Sequence, residues 1–417
     1  MDDQLLKKTM PSWPLIILLF TSVDTNLFGT NANRLFLFIP RILSALAIVI
    51  LPVIKSGTIR KIYIHWKHVL FLLVMIGIIS LSSAINSDAL ETYLSRIVVI
   101  ILACVICQVY SIQEFAVVFD SFIYLVSIFA VITEVIAYIV PQFLNVLPSF
   151  TNTSGYTFYS YLIGGISNAN GNLNSVLIRS EGIFWEPGAY SIYLVFAMIF
   201  QLFVLEKPNY KRIALYIFCL IITFSTTGYL SIMVLIIGFL LSNRSSLLSK
   251  KLKYIFIILA LLLIVGLIIF DTTIIYDTVF SKLTNGTSGA TTRYSSFFNG
   301  MRVAFDHPLF GVASDSQKYM AEYVFSNRSI FNNGGTAITN TVVAQFASYG
   351  LVFGSLFLIG TIRYFFCISK TKIESFFLCL TIMMAYFGEK FYSFIPFIFV
   401  FYGLCESKGR LDENSCD

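Results

Sequence analysis

The stretch Arg179–Tyr190, RSEGIFWEPGAY, decides how the chain is read. It gathers one cation, Arg179, and two carboxylates, Glu181 and Glu186, around Phe184 and Trp185, and a long apolar run opens at Pro187. Pro187 suits a first helical position, because its missing N–H has no helical partner there. Glu186 then sits at a helix N-terminus, where negative charge is favourable. It is read either as a helix-end charge or as a functional carboxylate. The planar fork of Arg179 suits bidentate contact with phosphate, whether on a substrate or on lipid headgroups. The stretch is expected to edge a site on the outer face of a membrane.

Outward from it, the chain is built for lipid. Of 417 residues, 57% are hydrophobic and only 12% charged, with a mean hydropathy of +0.82. Soluble domains are about 25% charged, so composition alone selects the membrane class. No cleaved signal is expected, since Met1–Met10 carries two acids and two lysines and no small-residue cleavage site follows the first apolar run. The net charge of +6 comes mostly from short loops beside spans, so no nucleic-acid partner is expected. The cysteines (Cys104, Cys107, Cys219, Cys367, Cys379, Cys405 and Cys416) lie in or beside spans or in the tail, and no disulfides are expected. Cys104 and Cys107 form a C-x-x-C inside an apolar run, without a second pair or a nearby histidine, which reads as packing rather than as a metal or redox site.

A helix needs about 20 apolar residues to cross a bilayer. Candidate spans are 12–30, 35–54, 68–85, 94–111, 115–140, 187–205, 212–225, 227–243, 253–270, 340–362, 374–388 and 391–405. The pair 212–225 and 227–243, split at Ser225-Thr226-Thr227-Gly228, reads as two passes with a tight turn. Basic residues concentrate in cytoplasmic loops. One alternating set of connections carries Lys55, Arg60, Lys61 and Lys67; Lys207, Lys211 and Arg212; Arg244, Lys250, Lys251 and Lys253; and Arg363, Lys370 and Lys372, with Lys7 and Lys8 on the same side. The expected fold is therefore an all-α polytopic membrane protein, residues 1–417 as one integral membrane domain, with about twelve transmembrane helices and both termini cytoplasmic.

The other side receives two large loops, 141–186 and 271–339. Long loops without repeats are usually functional. The first is rich in Tyr, Ser, Asn and Gly (GGISNANGNLNS), which suits sugar stacking and hydroxyl hydrogen bonding and equally any neutral surface loop. Asn-x-Ser/Thr patterns at 152, 285 and 327 carry no weight without a eukaryotic secretory route. The second loop opens with Asp271, Asp277 and NGTSGATT. A helix follows at about 292–306, with Thr291 or Thr292 as its cap and Tyr294, Phe297, Phe298, Met301, Ala304 and Phe305 as an apolar stripe laid on the membrane or the bundle. Arg293 and Arg302 flank opposite edges of that stripe, and His307-Pro308-Leu309-Phe310-Gly311 ends the helix. Among charged groups in spans, Arg96, Asp120, Glu389 and Lys390 lie near ends and are expected to reach water. Asp24 and Glu134 either line a cavity or reach the interface.

These residues carry a resemblance. RSEGIFWEP (Arg-x-x-Gly-x-Phe-x-Glu-Pro), the STTG turn, RYSSFFNGMRVAFDHPLFG (Arg-x8-Arg-x4-His-Pro-Leu-Phe-Gly) and a span opening NTVVAQFASYGL resemble the Wzy-type O-antigen and capsule polysaccharide polymerases. That family belongs with the O-antigen ligases among multi-span glycosyltransferases of the GT-C type. The resemblance covers roughly 175–360 and the overall topology. It implies a bacterial cytoplasmic (inner) membrane enzyme that joins undecaprenyl-pyrophosphate-linked repeat units at the outer face. It implies a lipid-linked glycan donor and acceptor, membrane lipids, and a chain-length regulator and a flippase as partners. Arginines in both large outer loops are essential in the family, and the matching positions are Arg179 and Arg293, with Arg302 behind them.

The chemistry agrees. Breaking a sugar C1–O–P bond develops charge on a pyrophosphate, and preorganised cations stabilise it. No cofactor, nucleotide or metal is expected, since the first outer loop holds no acidic DxD motif and Asp306 and Asp315 in the second are too widely spaced for one. Catalytic candidates are Arg179, Arg293 and Glu186; Arg302, His307, Glu181, Trp185 and Tyr294 are candidates for substrate binding. For a base that takes the acceptor proton, Glu186, His307 and Glu181 are candidates, and Glu186 ranks above His307. Ligases usually carry a histidine at the start of the span after the second loop. Here that region reads GGTAITNTVV, and His65 and His68 fall in a cytoplasmic loop, which favours a polymerase. The alternatives are an O-antigen ligase, a lipid-linked oligosaccharide flippase or transporter, and a structural membrane protein. Transporters usually show two similar halves; here only one half has a counterpart of the 271–339 loop, and 55–67 holds no G-x-x-x-D-R-x-G signature.

Overall fold

A computed structural model describes residues 12–22, 34–55, 65–140, 142, 149–151, 157–161, 164–168, 178–242, 289–313, 319, 338–391 and 393–405. The predicted span 253–270, Asp24, Asp271, Asp277, Asp315, the three Asn-x-Ser/Thr sites and the basic residues Lys7, Lys8, Arg60, Lys61, Arg244, Lys250, Lys251 and Lys253 lie outside the described residues. Helices occupy every other predicted span: α1 (Trp13–Ser22), α2 (Arg34–Lys55), α3 (Trp66–Ile85), α4 (Leu90–Val109), α5 (Ile112–Ile139), α6 (Pro187–Ile199), α7 (Tyr210–Ile222) and α8 (Thr226–Leu241). They continue with α9 (Gly289–Asp306), α10 (Thr341–Ile368), α11 (Lys372–Gly388) and α12 (Ile395–Cys405). The STTG turn does separate two helices: Ser225 caps α8 by accepting the Gly228 N–H at 3.2 Å.

Among the described residues, five segments are long and apolar enough to cross a membrane: α3, α4, α5, α6 with its π-helical extension Phe200–Val204, and α10. Ile39–Leu51, Thr226–Leu241 and Ile395–Leu404 are apolar but shorter. Ile39, Leu43, Leu70, Leu73 and Ile139 are 60–73% exposed. In water such surface costs about 25 cal/mol per Å²; in hydrocarbon it costs nothing, and helices keep their backbone groups satisfied there. The chain is an α-helical membrane protein.

The described residues fall into two compact units, one from Met1–Val69 and Ile101–Cys219, the other from Leu70–Ile100 and Leu220–Asp417. In the first, α5 is the axis. A capping box starts it, with Ser111 accepting the Glu114 N–H and Glu114 accepting the Ser111 N–H. Its 28 residues span about 42 Å at 1.5 Å per residue, longer than a ~30 Å hydrocarbon core requires. The sequence led us to expect only irregular loop after it. Instead a four-stranded antiparallel meander follows: β1 (Ser149–Thr151), β2 (Thr157–Tyr161), β3 (Gly164–Asn168) and β4 (Ile178–Gly182), in that spatial order. The first large loop thus adds a small sheet to the helical fold, and β3 and β4 pack on α5.

Asp120 was expected to reach water, yet it is 1% exposed. Arg212, in the first turn of α7, forms an ion pair with its carboxylate. The Tyr216 hydroxyl donates to the same carboxylate at 2.7 Å, and the guanidinium stands 4.5 Å over the Tyr124 ring. Removing one partner of a buried pair costs about 3 kcal/mol or more. Asp120→Ala is therefore expected to lower the unfolding temperature in detergent markedly. Asp120→Asn, which keeps an acceptor for Tyr216, should recover part of the loss. Equal melting of Asp120→Ala and the unaltered protein would show that this network contributes no stability.

In the second unit, α10 packs on α12, α9 and α11, and α8 on α11. Helix α9 confirms the predicted element but not its predicted details. It begins at Gly289, so Thr291 and Thr292 are inside its first turn rather than at its cap. The predicted stripe is divided: Ala304 is buried and Phe297 and Met301 pack against the buried cluster around Val303 and Val343, but the rest of the stripe is exposed. Ser295, Ser296, Asn299, Val303 and Ala304 are fully buried, while Tyr294, Phe298 and Phe305 are 43–63% exposed. The reason is close approach: a Cβ on Gly300 would lie 2.5 Å from Val343 of α10, so only a face of small residues fits. The buried polar groups are satisfied locally, Asn299 donating to Ser295 Oγ at 2.9 Å and Ser296 Oγ accepting the Thr339 N–H at 2.7 Å.

Candidate functional site

The opening stretch is a buried strand–turn–helix rather than a surface loop. Arg179 lies on β4, paired in register with Ser167 of β3. Ser180, Glu181, Ile183 and Phe184 are 0–2% exposed. After β4 the chain turns at Gly182 (φ 58°), with the Phe184 N–H donating to the Glu181 carbonyl at 3.0 Å. The turn packs on the middle of α5 and on the first turn of α6, against Val126 and Tyr190. Phe184 stacks on Tyr190 at 5.4 Å and meets Tyr193 at 4.4 Å, and the Tyr190 hydroxyl reaches Ser127 Oγ at 3.2 Å. An aromatic wedge therefore fixes the strand that carries Arg179.

Glu186 is the N-cap residue of α6 and Pro187 its first helical residue, as expected. The Glu186 side chain makes no capping hydrogen bond; its Oε1 instead accepts the Trp185 indole N–H at 3.1 Å. Both side chains are half-buried. Arg179 is also half-buried, whereas Glu181 is fully buried. The carboxylate left with access is thus Glu186. Glu134 lies on the α5 stripe that includes Val126, Ser127 and Ala130; it is 5% exposed, and neither carboxylate oxygen has a hydrogen-bond partner among the described residues. It does not reach an interface. Its sequence signal was only that of an acid inside an apolar run.

The second set of candidates belongs to the other unit. Arg293, Tyr294 and Arg302 are on α9, with Arg293 and Arg302 half-buried and Tyr294 exposed. His307 follows the helix. Its N–H donates to the Val303 carbonyl, its carbonyl accepts from Gly311, and its ring stands 4.8 Å from that of Tyr319. That arrangement suits a helix stop better than a free base. The HPLFG segment docks into a break in α10 at Gly350 (φ 85°): the Leu351 N–H donates to the Pro308 carbonyl at 2.8 Å, and the Val312 N–H to the Ala347 carbonyl at 2.9 Å. Two of the quoted motifs, HPLFG and ASYGL, are therefore halves of one structural joint. NTVVAQF has its own work: Asn340 caps α10, and the Thr341 hydroxyl donates to the Glu389 carbonyl while accepting the Phe391 N–H.

Arg179, Glu181, Trp185 and Glu186 are brought together in one unit, and Arg293, Tyr294, Arg302 and His307 in the other. Among the described residues no group of three or more His, Cys, Asp or Glu is arranged to hold a metal. Cys104, Cys107 and Cys219 are buried in helices and form no disulfide. His65 and His68 meet edge to face at 5.5 Å, beside α4, where Gln108 donates to the His65 carbonyl. Compared with family models, with curated proteins and with solved structures, the chain matches none.

Proposed function

We propose that this protein is a polymerase of the GT-C glycosyltransferase type, joining undecaprenyl-pyrophosphate-linked oligosaccharide repeat units into O-antigen or capsular polysaccharide at the outer face of the bacterial cytoplasmic membrane. The observation that carries the reading is the mounting of RSEGIFWEP: a phosphate-suited arginine on a wedged strand, followed at the helix mouth by an accessible carboxylate. The resemblance of four segments to the Wzy-type polymerases and the charge pattern of the loops support the same reading. In the reaction, the acceptor hydroxyl oxygen forms a bond to C1 of the donor sugar, and the C1–O bond to pyrophosphate breaks. The hydroxyl proton goes to Glu186, and the pyrophosphate leaves on its carrier lipid. Arg179 stabilises the charge that develops on that leaving group, and Arg293 is the second cation that the resemblance assigns to the reaction.

The test is a gene deletion in the native host with surface glycan resolved on a gel. Loss of a polymerase leaves a single repeat unit on the surface acceptor, with no ladder above it. Polymer retained on the carrier lipid would identify a ligase instead, and repeat units trapped inside the cell would identify a flippase.

A further inference from the structure

The joint between HPLFG and α10 has a third member. At the end of α3 the Ser82 hydroxyl donates to the Ser348 carbonyl of α10 at 2.9 Å, and the Asn86 side-chain amide donates to the Gly311 carbonyl at 3.2 Å. Both contacts lie within the second unit. In an unbroken α10 the Ala347 and Ser348 carbonyls would accept the N–H groups four residues on. The break at Gly350 (φ 85°) turns the Leu351 N–H to the Pro308 carbonyl instead. Ala347 is then served by the Val312 N–H, and Ser348 by Ser82. A carbonyl freed inside the fold and left without a donor is costly. A helical serine often turns its hydroxyl back to its own helix; Ser82, fully buried, reaches across to α10.

Asn86 is held for the same task. The Asp88 N–H donates to the Ser83 carbonyl at 2.9 Å, and Ser87 stands in the left-handed region (φ 50°), which closes the end of α3. The Asn86 amide nitrogen meets two carbonyls, that of Ser82 in its own helix end at 2.8 Å and that of Gly311 in the joint. The two amide hydrogens of an asparagine suit that double contact.

The helix held in this way carries two arginines. Helix α9 and the first part of α10 form one block, in which Val303, Val312, Ile338, Val343, Ala344 and Ala347 share a buried cluster. Thr341 clamps one end of the block to the α11–α12 turn, where Glu389, expected to reach water, is buried instead. Ser82 and Asn86 hold the other end to α3. The path along α9 from Pro308 back to Arg293 is about 22 Å, so a tilt of ~5° at the joint moves Arg293 by about 2 Å. A misplacement of ~1 Å, caused far from the reacting atoms, can cost about 10²-fold in rate.

We propose that Asn86 and Ser82 are positioning residues, a latch from the α3–α4 turn that fixes the tilt of α9 and so the placement of Arg293 and Arg302. That the latch steadies α9 stands on the hydrogen bonds alone; that it thereby serves sugar transfer rests on the polymerase reading.

The test follows the full-length protein in two ways: amide hydrogen exchange in detergent, and surface glycan in a deletion host complemented with each variant. Asn86→Leu and Ser82→Ala should each speed exchange of the Val312 and Leu351 amides at least tenfold, and should at least halve the number of repeats per chain at equal amounts of membrane protein. Ser80→Ala is the control. It removes a hydrogen bond from the same helix to the Tyr93 hydroxyl of α4 at 2.9 Å, away from the joint, and should leave exchange and chain length unchanged. A merely structural contribution of α3 would make Ser80→Ala and Ser82→Ala behave alike. Should Asn86→Leu fail to fold, Ser82→Ala, which deletes one oxygen, decides the matter. Unaltered exchange at Val312 and Leu351 in Ser82→Ala and in any folded Asn86→Leu overturns the latch. Joint amides that loosen while the ladder keeps its full length overturn the positioning role. A ladder that persists in the deletion host retires the polymerase reading, and faster exchange at the joint then still supports the latch.

Discussion

Arg179→Ala and Arg293→Ala are each expected to abolish chain extension while the protein remains in the membrane. The argument is one of developing charge. A sugar–pyrophosphate bond breaks only as fast as its leaving group is stabilised, and one preorganised donor is worth about 10²–10³ in rate, or roughly 2.7–4 kcal/mol. A loss of that size at either position turns a ladder of many repeats into a single repeat on a gel. Arg179 should be the more position-sensitive, because β4 holds it in register with Ser167 and the Phe184 wedge keeps the strand against α5 and α6. Arg179→Lys preserves charge but not the two-pronged contact, and should also fail to extend chains. Arg302→Ala, on the opposite edge of α9, should shorten chains less severely. The measurement is a glycan gel, normalised to the amount of protein in membranes. Full-length polymer from both alanine variants sinks the assignment; a fully active Arg179→Lys refutes the bidentate contact alone.

The helical fold was legible because it is written in composition and run length. Each described helix falls where an apolar run predicted one, or for α9 where an apolar stripe at helical spacing did, and the caps Ser111, Ser225 and Asn340 are residues whose side chains accept from the backbone. What escaped notice depends on partners distant in sequence. The sheet over 149–182 was hidden because its strands are three to five residues long and set among Gly, Ser and Asn, although TFYSY in β2 has the aromatic and β-branched composition of a strand. The face of α9 was legible only in part, through Phe297, Met301 and Ala304, because helical periodicity rewards large apolar residues while contact with α10 demands small ones at Gly300 and Ala304. Within the site, Arg179, Glu186 and the helix mouth at Pro187 could be read directly. The docking of HPLFG at the break in α10 could not, since it depends on how the chain leaving α9 packs on Gly350.

That dependence gives the second large effect: Gly350→Ala should remove most folded protein. Gly350 adopts φ 85° in the middle of α10, a conformation that costs a side-chain-bearing residue about 1–3 kcal/mol. The space is closed as well. An added Cβ would lie 2.5 Å from the Leu309 carbonyl oxygen and 2.7 Å from that of Pro308, both backbone atoms that no rotamer change can move. Overpacking adds roughly 1–3 kcal/mol. The sum is a large part of the ~5–15 kcal/mol that holds a typical domain folded. Gly311→Ala should behave likewise, since Gly311 has φ 63° and its Cβ would lie 2.5 Å from the Ala347 carbonyl oxygen. Gly77→Ala is the control: it lies in α3, its Cβ would meet nothing within 4 Å, and a helical alanine is favoured over glycine by up to about 1 kcal/mol. Thermal unfolding in detergent should show Gly350→Ala far below the unaltered protein and Gly77→Ala at or slightly above it. Melting of Gly350→Ala at the temperature of the unaltered protein would mean that the HPLFG segment does not seat on α10, and the structural account of both motifs would fall with it.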